Sequence, residues 1–318
     1  MDFRNVIRKN NIRTRLVVMS YIVLMLVIGL LADTATHPDE RMDFAANLIA
    51  FATLQQLPVA TFIILGLTFL GLLYIHFFGH KLMLAGMNAK EITQEGASTP
   101  EERQLFNILE ELSLSATLRY VPRLYILDTD EPNAFAAGWN QRNALVGVTR
   151  GLLQTLNRQE VQAVMAHEVG HIIHGDSKLT LYVGILANVI LTVTNVFAQL
   201  FIRSAGRSRN NSANKAQTIL LLLNILLPII TKVLYFYLSR TREYMADAAA
   251  VDLTSDNQAM ISALKKISGD HQKHDYDDES TGQAYRQAAY IFNKGDSVFS
   301  THPSIENRIA ALEGRKQF

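Results

Sequence analysis

Four stretches of this chain are long and apolar enough to cross a lipid bilayer, and they dictate where everything else can fold. A helical span needs about 20 mostly apolar residues. Leu16–Ala32, "LVVMSYIVLMLVIGLLA", is the first stretch, and Pro58–Phe78, "PVATFIILGLTFLGLLYIHFF", is the second. The third runs from about Leu179 to Ile202 and the fourth from about Ala216 to Leu238. Leu16–Ala32 has the basic lead of a secretory signal. It is longer than a signal's apolar region and no A-x-A site follows, so it reads as a retained anchor.

Charge orients these stretches. Arg4, Arg8, Lys9, Arg13 and Arg15 precede the first, against Asp2 alone, whereas Asp33, Asp39, Glu40 and Asp43 follow it, against Arg41. The excess of Lys and Arg stays in the cytoplasm. The N-terminus is therefore expected there, and the second stretch returns the chain, leaving His80 to Lys178 cytoplasmic. The connection between the third and fourth stretches carries Arg203, Arg207, Arg209 and Lys215 with no acid, which opposes a full hairpin. Asn188, Thr192, Asn195, Gln199, Asn224 and Lys232 lie within those stretches, and such groups usually face protein or water. The pair either spans or packs over the polar part. In both cases the residues before 179 and after 238 end on one side.

A net charge of +1 gives no support to nucleic-acid binding, and the absence of Cys removes disulfides, thiolate metal sites and thiol nucleophiles. Any metal must be held by His and carboxylates. Between the apolar stretches, Thr99-Pro100-Glu101-Glu102 reads as a helix start with a capping box, followed by the stripe Leu105, Ile108, Leu109, Leu112. "RLYILD", "NAFAAGW" and "ALVGVT" read as a small sheet. Asn157 and Glu160 cap a second helix that ends at Gly175. "REYMADAAAVDL" begins a third helix near Arg240, more helix follows around Met260 to Ile267, "DHQKHDYDDES" reads as a polar loop, and "THPSIENRIAALEGR" as a turn into a last short helix.

"HEVGH", His167 to His171, falls in the second half of the Asn157–Gly175 helix. With nine His and 14 Glu, about 0.01 H-E-x-x-H matches are expected by chance in a chain of this length. On a helix, His167 and His171 point the same way one turn apart and can hold a zinc ion from one face. Glu168, about 100° around, reaches water at the metal. A catalytic zinc takes a third protein ligand. His174 would crowd the open position and reads as a surface residue or a support behind the ligands, and Asp176 reads as a local cap or orienting group. Glu243 is the better candidate, because Asp247 follows it by one turn and can accept the other N–H of a ligand His.

"HEVGHIIHGD", followed after two apolar stretches by "SRTREYMADAAAVDL" and then "STHPSIENRIAAL", resembles the M48 family of zinc metalloproteases, and within it the HtpX-type bacterial inner-membrane proteases. "PNAFAAGW" and "ALVGVTRGLL" fit the same pattern, and the resemblance spans nearly the whole chain. The CAAX-prenyl endopeptidases share the zinc motifs but carry more membrane spans. The resemblance implies one Zn2+ per chain on His167, His171 and Glu243, with Glu168 as general base and Asp247 supporting His167. It places Asn133 and His302 near substrate. The developing oxyanion needs a donor besides the metal, for which His302 is the candidate and Tyr244 the weaker one. It makes the "ALVGVT" strand, with Ala144, Val146 and Val148, the sheet edge on which a substrate peptide lies.

The expected architecture is mainly α with a small β-sheet: an integral membrane protein bearing a cytoplasmic gluzincin-type zinc protease domain. Residues 1–80 form an N-terminal membrane hairpin, 81–178 the first part of the protease domain, 179–238 a second membrane or membrane-associated hairpin, and 239–318 the second part. The partners implied are unfolded or membrane polypeptides and the lipid bilayer of a bacterial inner membrane. An intramembrane protease would place the motif inside an apolar span, yet Asn157, Arg158, Gln159 and Glu160 precede it and His174, Asp176 and Lys178 follow. A non-catalytic scaffold would have lost a ligand or the base, and each is present.

Overall fold

The computed structural model describes residues 3–138, 140–180, 182–183, 185–186, 214–215, 218–219, 221–222, 240–274, 276, 291 and 303–315. The expected third and fourth apolar stretches fall mostly outside them, as does His302. The chain divides into two compact units. One comprises Met1–Arg13, Phe78–Gly184 and Tyr235–Phe318; the other comprises Thr14–Phe77 and Ile185–Leu234.

The second unit contains most of α1 (Phe3–Thr36) and α3 (Val59–Leu82), with α2 (Phe44–Ala52) between them. Ile7–Thr36 and Val59–Gly79 are long and apolar enough to cross a membrane, at mean hydropathies of 2.5 and 2.1. Only 17% of the most apolar window of α3 is buried. Phe62, Ile63, Leu67, Phe69 and Leu70 point outward, which suits lipid rather than water. Asp33, just past the first apolar stretch, still lies in α1 and is buried. Its carboxylate accepts from Ala60 N (2.8 Å), Thr61 N (2.9 Å) and Thr61 Oγ1 (2.7 Å). The first N–H groups of a helix lack intrahelical acceptors, and Asp33 satisfies those of α3 from the neighbouring helix.

The first unit is built on a four-stranded sheet. Its strands are β1 (Ala89–Ile92), β2 (Arg123–Leu127), β3 (Ala134–Ala137) and β4 (Leu145–Thr149), in the order β1-β2-β4-β3. β4 runs parallel to β2 and antiparallel to β3. The last three strands match the expected β segments, and β1 is an addition. The expectation that "ALVGVT" forms the edge is corrected: β4 is bonded on both sides, and β3 is the outermost strand among the described residues. Val146 and Val148 are fully buried and Ala144 nearly so, with Ala144 O already accepting from Arg123 N. These three residues therefore have no free ladder for an added peptide.

Helices pack against the sheet through their apolar stripes. In α4 (Pro100–Ser115), Leu105, Ile108, Leu109 and Leu112 are all buried, as the spacing predicts. Thr99 caps this helix, but the Glu102 side chain does not return to the Thr99 N–H. It accepts from Ser98 N and from Lys90 instead, so the box is only half formed. After α5 (Arg150–Thr155) comes α6 (Arg158–His174), with a complete capping box from Asn157 and Glu160 and a left-handed Gly175 at φ 66°. Glu160 also accepts from Ser262 Oγ (2.6 Å) and Lys266 Nζ (2.8 Å), tying the start of α6 to α8 (Asn257–Lys273). Because α8 continues to Lys273, the first residues of the expected loop are helical. α7 (Thr241–Thr254) and α9 (Ile305–Leu312) complete the described part of the unit.

Candidate metal centre

The centre forms where α6 and α7 touch. Gly170, the second spacer residue of HEVGH, makes the approach possible. A Cβ there would sit 3.0 Å from Ala249 Cβ and 3.2 Å from Ala246 Cα. Ala246 on α7, which meets this glycine, is fully buried. Close packing of these two helices carries Glu243 and Asp247, one turn apart on α7, to the imidazoles of α6.

His167, His171 and Glu243 each bring a ligand atom into a group whose members all lie within 4.8 Å of one another. His167 Nε2 and His171 Nε2 are 3.2 Å apart. Glu243 Oε2 is 3.6 Å from the first and Oε1 is 3.8 Å from the second. The Nδ1 of each ring faces its own carboxylate: His167 Nδ1 lies 2.9 Å from Asp247 Oδ1, and His171 Nδ1 lies 3.1 Å from Asp176 Oδ1. Those carboxylates hold each ring proton on Nδ1, as in a carboxylate–histidine–metal arrangement. The two Nε2 lone pairs then converge on each other and on the Glu243 carboxylate. Both Glu168 oxygens are buried, with no hydrogen-bond partner among the described residues. Lone pairs and carboxylates converging in this way suit a cation held between them. The spacing fits one, since a tetrahedral ion with metal–nitrogen bonds of about 2.0–2.1 Å sets its nitrogens about 3.3 Å apart.

The surrounding charges brace this group. Arg308, on α9 and fully buried, donates from Nε to Asp247 Oδ2 (2.9 Å) and from Nη2 to Asp247 Oδ1 (2.6 Å). Its Nη2 is 3.3 Å from His167 Nδ1, so ring and guanidinium share Asp247 Oδ1. Arg242 donates to Thr180 Oγ1, and its Nη2 lies 3.6 Å from Glu243 Oε1. Burial would raise the Asp247 and Asp176 carboxyls, but Arg308 and His171 respectively outweigh it and hold both below the ordinary range. Glu168 goes the other way: burial lifts its carboxyl, opposed only in part by His167 and His171.

Residues 100–316 match the profile of "Peptidase family M48". The chain belongs to that family. Among M48 relatives, the "Protease HtpX homolog" of Helicobacter acinonychis is 41% identical over 315 residues, covering 99% of each chain. That of Ligilactobacillus salivarius is 34% identical over 312 residues, covering 96% of this chain and 98% of its own. That of Dictyoglomus turgidum is 35% identical over 250 residues, covering 77% and 80%. The crystal structure of S. mikatae Ste24p aligns at a TM-score of 0.47 and 16% identity, over 93% of this chain and 67% of that one. That likeness is too distant to bear on the site. The chain is thus an HtpX homologue of the M48 metallopeptidases with its His-His-Glu group intact.

Other residues of the M48 chain fall variously about this centre. Asn133 is fully buried at the start of β3: its N–H donates to Thr149 Oγ1 (2.8 Å), and its side chain reaches Glu131 Oε1 (3.3 Å). His174 is buried rather than at the surface, with its carbonyl accepting from Asn10 Nδ2 (3.2 Å). Asp176, read as a local cap or orienting group, pairs with His171. Sequence reasoning missed Arg308 altogether. The signal was present, because Arg308 lies three after Ile305 and one before Ile309, on the apolar face of α9. A lone cation in an apolar stripe demands a buried anion.

Proposed function

We propose that the protein is a zinc-dependent endopeptidase of a bacterial inner membrane. Its site faces the cytoplasm and hydrolyses the backbone of unfolded or misfolded membrane and cytoplasmic proteins. The observation that carries this reading is the convergence of His167, His171 and Glu243 beside a buried Glu168 whose oxygens have no hydrogen-bond partner among the described residues. Two imidazoles and one carboxylate are the donor set of a catalytic zinc with a position left open. When bound, zinc supplies Lewis acidity, polarising the scissile carbonyl and acidifying a water beside it.

The protein's own residues do the rest. Glu168 takes the proton of the attacking water and delivers it to the leaving amide nitrogen. Asp247 and Asp176 keep each ring proton on Nδ1 and so each Nε2 lone pair aimed at the metal. His302 and Tyr244 stand as candidate donors to the developing oxyanion. The peptide lies along β3 rather than β4. Thr149 N donates to Asn133 O, so by ladder alternation Ala134 and Ala136 turn their main-chain groups away from β4. Pairing through main-chain groups suits a broad range of unfolded substrates. Orientation is supported by Asn10 and Asn11. They bond to His174 O and Lys178 Nζ at the end of the motif helix, which keeps the site beside the basic N-terminus.

The test is cleavage of unfolded casein by detergent-purified protein with and without added zinc, with metal content measured on the same samples. Wild type is expected to cut. Glu168→Gln should keep its zinc and lose cleavage by a factor of about 10²–10⁴. Glu243→Ala should lose the metal itself. Substantial cleavage by Glu168→Gln would overturn the mechanism.

A further inference from the structure

Ile291 is held beside the metal ligands by both of its main-chain groups. Its N–H donates to Ala134 O at 2.9 Å, and its carbonyl accepts from Arg308 Nη1 at 3.0 Å. Its side chain is 2% exposed, within the apolar cluster that also contains Ala134, Val164 and Ile309. Ala134 O is one of the outward-facing acceptors of β3, the acceptor any peptide added to that edge must use. Arg308 is the same guanidinium that braces Asp247 and His167. One residue therefore spans from the outer edge of the sheet to the brace of a metal ligand, as a residue of a bound extended peptide would.

We propose that Ile291 occupies the place of a substrate residue, and that a peptide must displace it to be cut. The place takes a large aliphatic side chain, and its polar ends are an acceptor for the peptide N–H on Ala134 and a donor for the peptide carbonyl on Arg308. Ile291 is then an internal competitor. A fraction of molecules in which Ile291 is seated cannot bind substrate, which lowers apparent affinity by that fraction. The inference rests on the endopeptidase reading above.

The experiment uses full-length, zinc-loaded protein carrying Glu168→Gln, so that binding is read without turnover. Fluorescein-labelled β-casein is titrated by anisotropy against this parent and against the same protein with Ile291→Gly or Ile291→Asp added. The first weakens the occupant and the second makes its burial unfavourable. Both should bind casein at least about tenfold more tightly, the scale set by losing a buried aliphatic side chain from the competitor. In parallel, cut sites made by wild type should show Ile, Leu or Val at one fixed position next to the scissile bond. Unchanged or weaker binding in both variants, with zinc content and melting temperature equal to the parent, would overturn the proposal. So would loss of zinc or of cooperative melting in both, because Ile291 would then be a structural core residue. Failure of wild type to cut casein would instead fall on the endopeptidase reading, whatever the Ile291 variants do.

Discussion

Replacing Arg308 by Met tests the brace behind the centre. The substitution keeps a long apolar side chain and removes the guanidinium, so lost packing is small and lost charge dominates. Arg308 makes two charge-assisted hydrogen bonds to Asp247, at 2.9 and 2.6 Å. Bonds of that kind contribute about 1.5–3 kcal/mol each. Removing one partner of a buried pair leaves the other uncompensated, at a cost of about 3–5 kcal/mol. Asp247 is 2% exposed, so water cannot make up the loss. At about 2–4 °C per kcal/mol, the melting temperature should fall by roughly 6–20 °C. Far-UV circular dichroism of the detergent-purified protein reads this directly. Arg308→Lys keeps the charge but not the two-pronged geometry and should fall between. Arg308→Met combined with Asp247→Leu removes both charges and should regain part of the loss. A melting temperature for Arg308→Met within about 2 °C of wild type would refute the reasoning.

Asp176→Asn should leave the fold intact but weaken metal binding by about 10–100-fold, since His171 loses the carboxylate that orients it; competition with a chromophoric chelator measures this, and unchanged affinity would remove Asp176 from the centre. Glu160→Gln should lower the melting temperature at neutral pH. Burial would raise the Glu160 carboxyl, but Lys266, Ser262 and the Asn157 N–H hold it below its ordinary value of 4.5. A depressed carboxyl stabilises the fold above its unfolded pKa and ceases to do so as pH falls. The difference between Glu160→Gln and wild type should therefore shrink below pH 4.5, and a gap that persists in acid would count against the ion pair.

The parts legible in the sequence are those whose partners lie within a turn or two. Asn157, Glu160 and Gly175 bound the motif helix because they satisfy backbone groups close by in sequence. Glu243 and Asp247 could be read as a pair because four residues put them on one helical face. Arg308 could not be read the same way, since its partners Asp247 and His167 lie 61 and 141 positions away. Strand order failed for a related reason. Consecutive strands are usually neighbours, but β2 passes over β3 to pair with β4. The unbroken apolar run of β4 was the available clue, because strands buried on both faces read as continuous hydrophobic runs. Glu102 shows the limit of local signals: the spacing was right, but Ser98 and Lys90 offered its carboxylate closer company than Thr99.

The 141 positions between His167 and Arg308 also set a clock. At about 5–20 residues per second of synthesis, the ribosome needs roughly 7–28 s to travel from the first imidazole to the guanidinium that steadies its carboxylate. The two remaining apolar stretches emerge within that interval. A newborn chain thus displays its histidines long before it owns a finished blade, and the cutting edge is assembled last, after both of those stretches have been made.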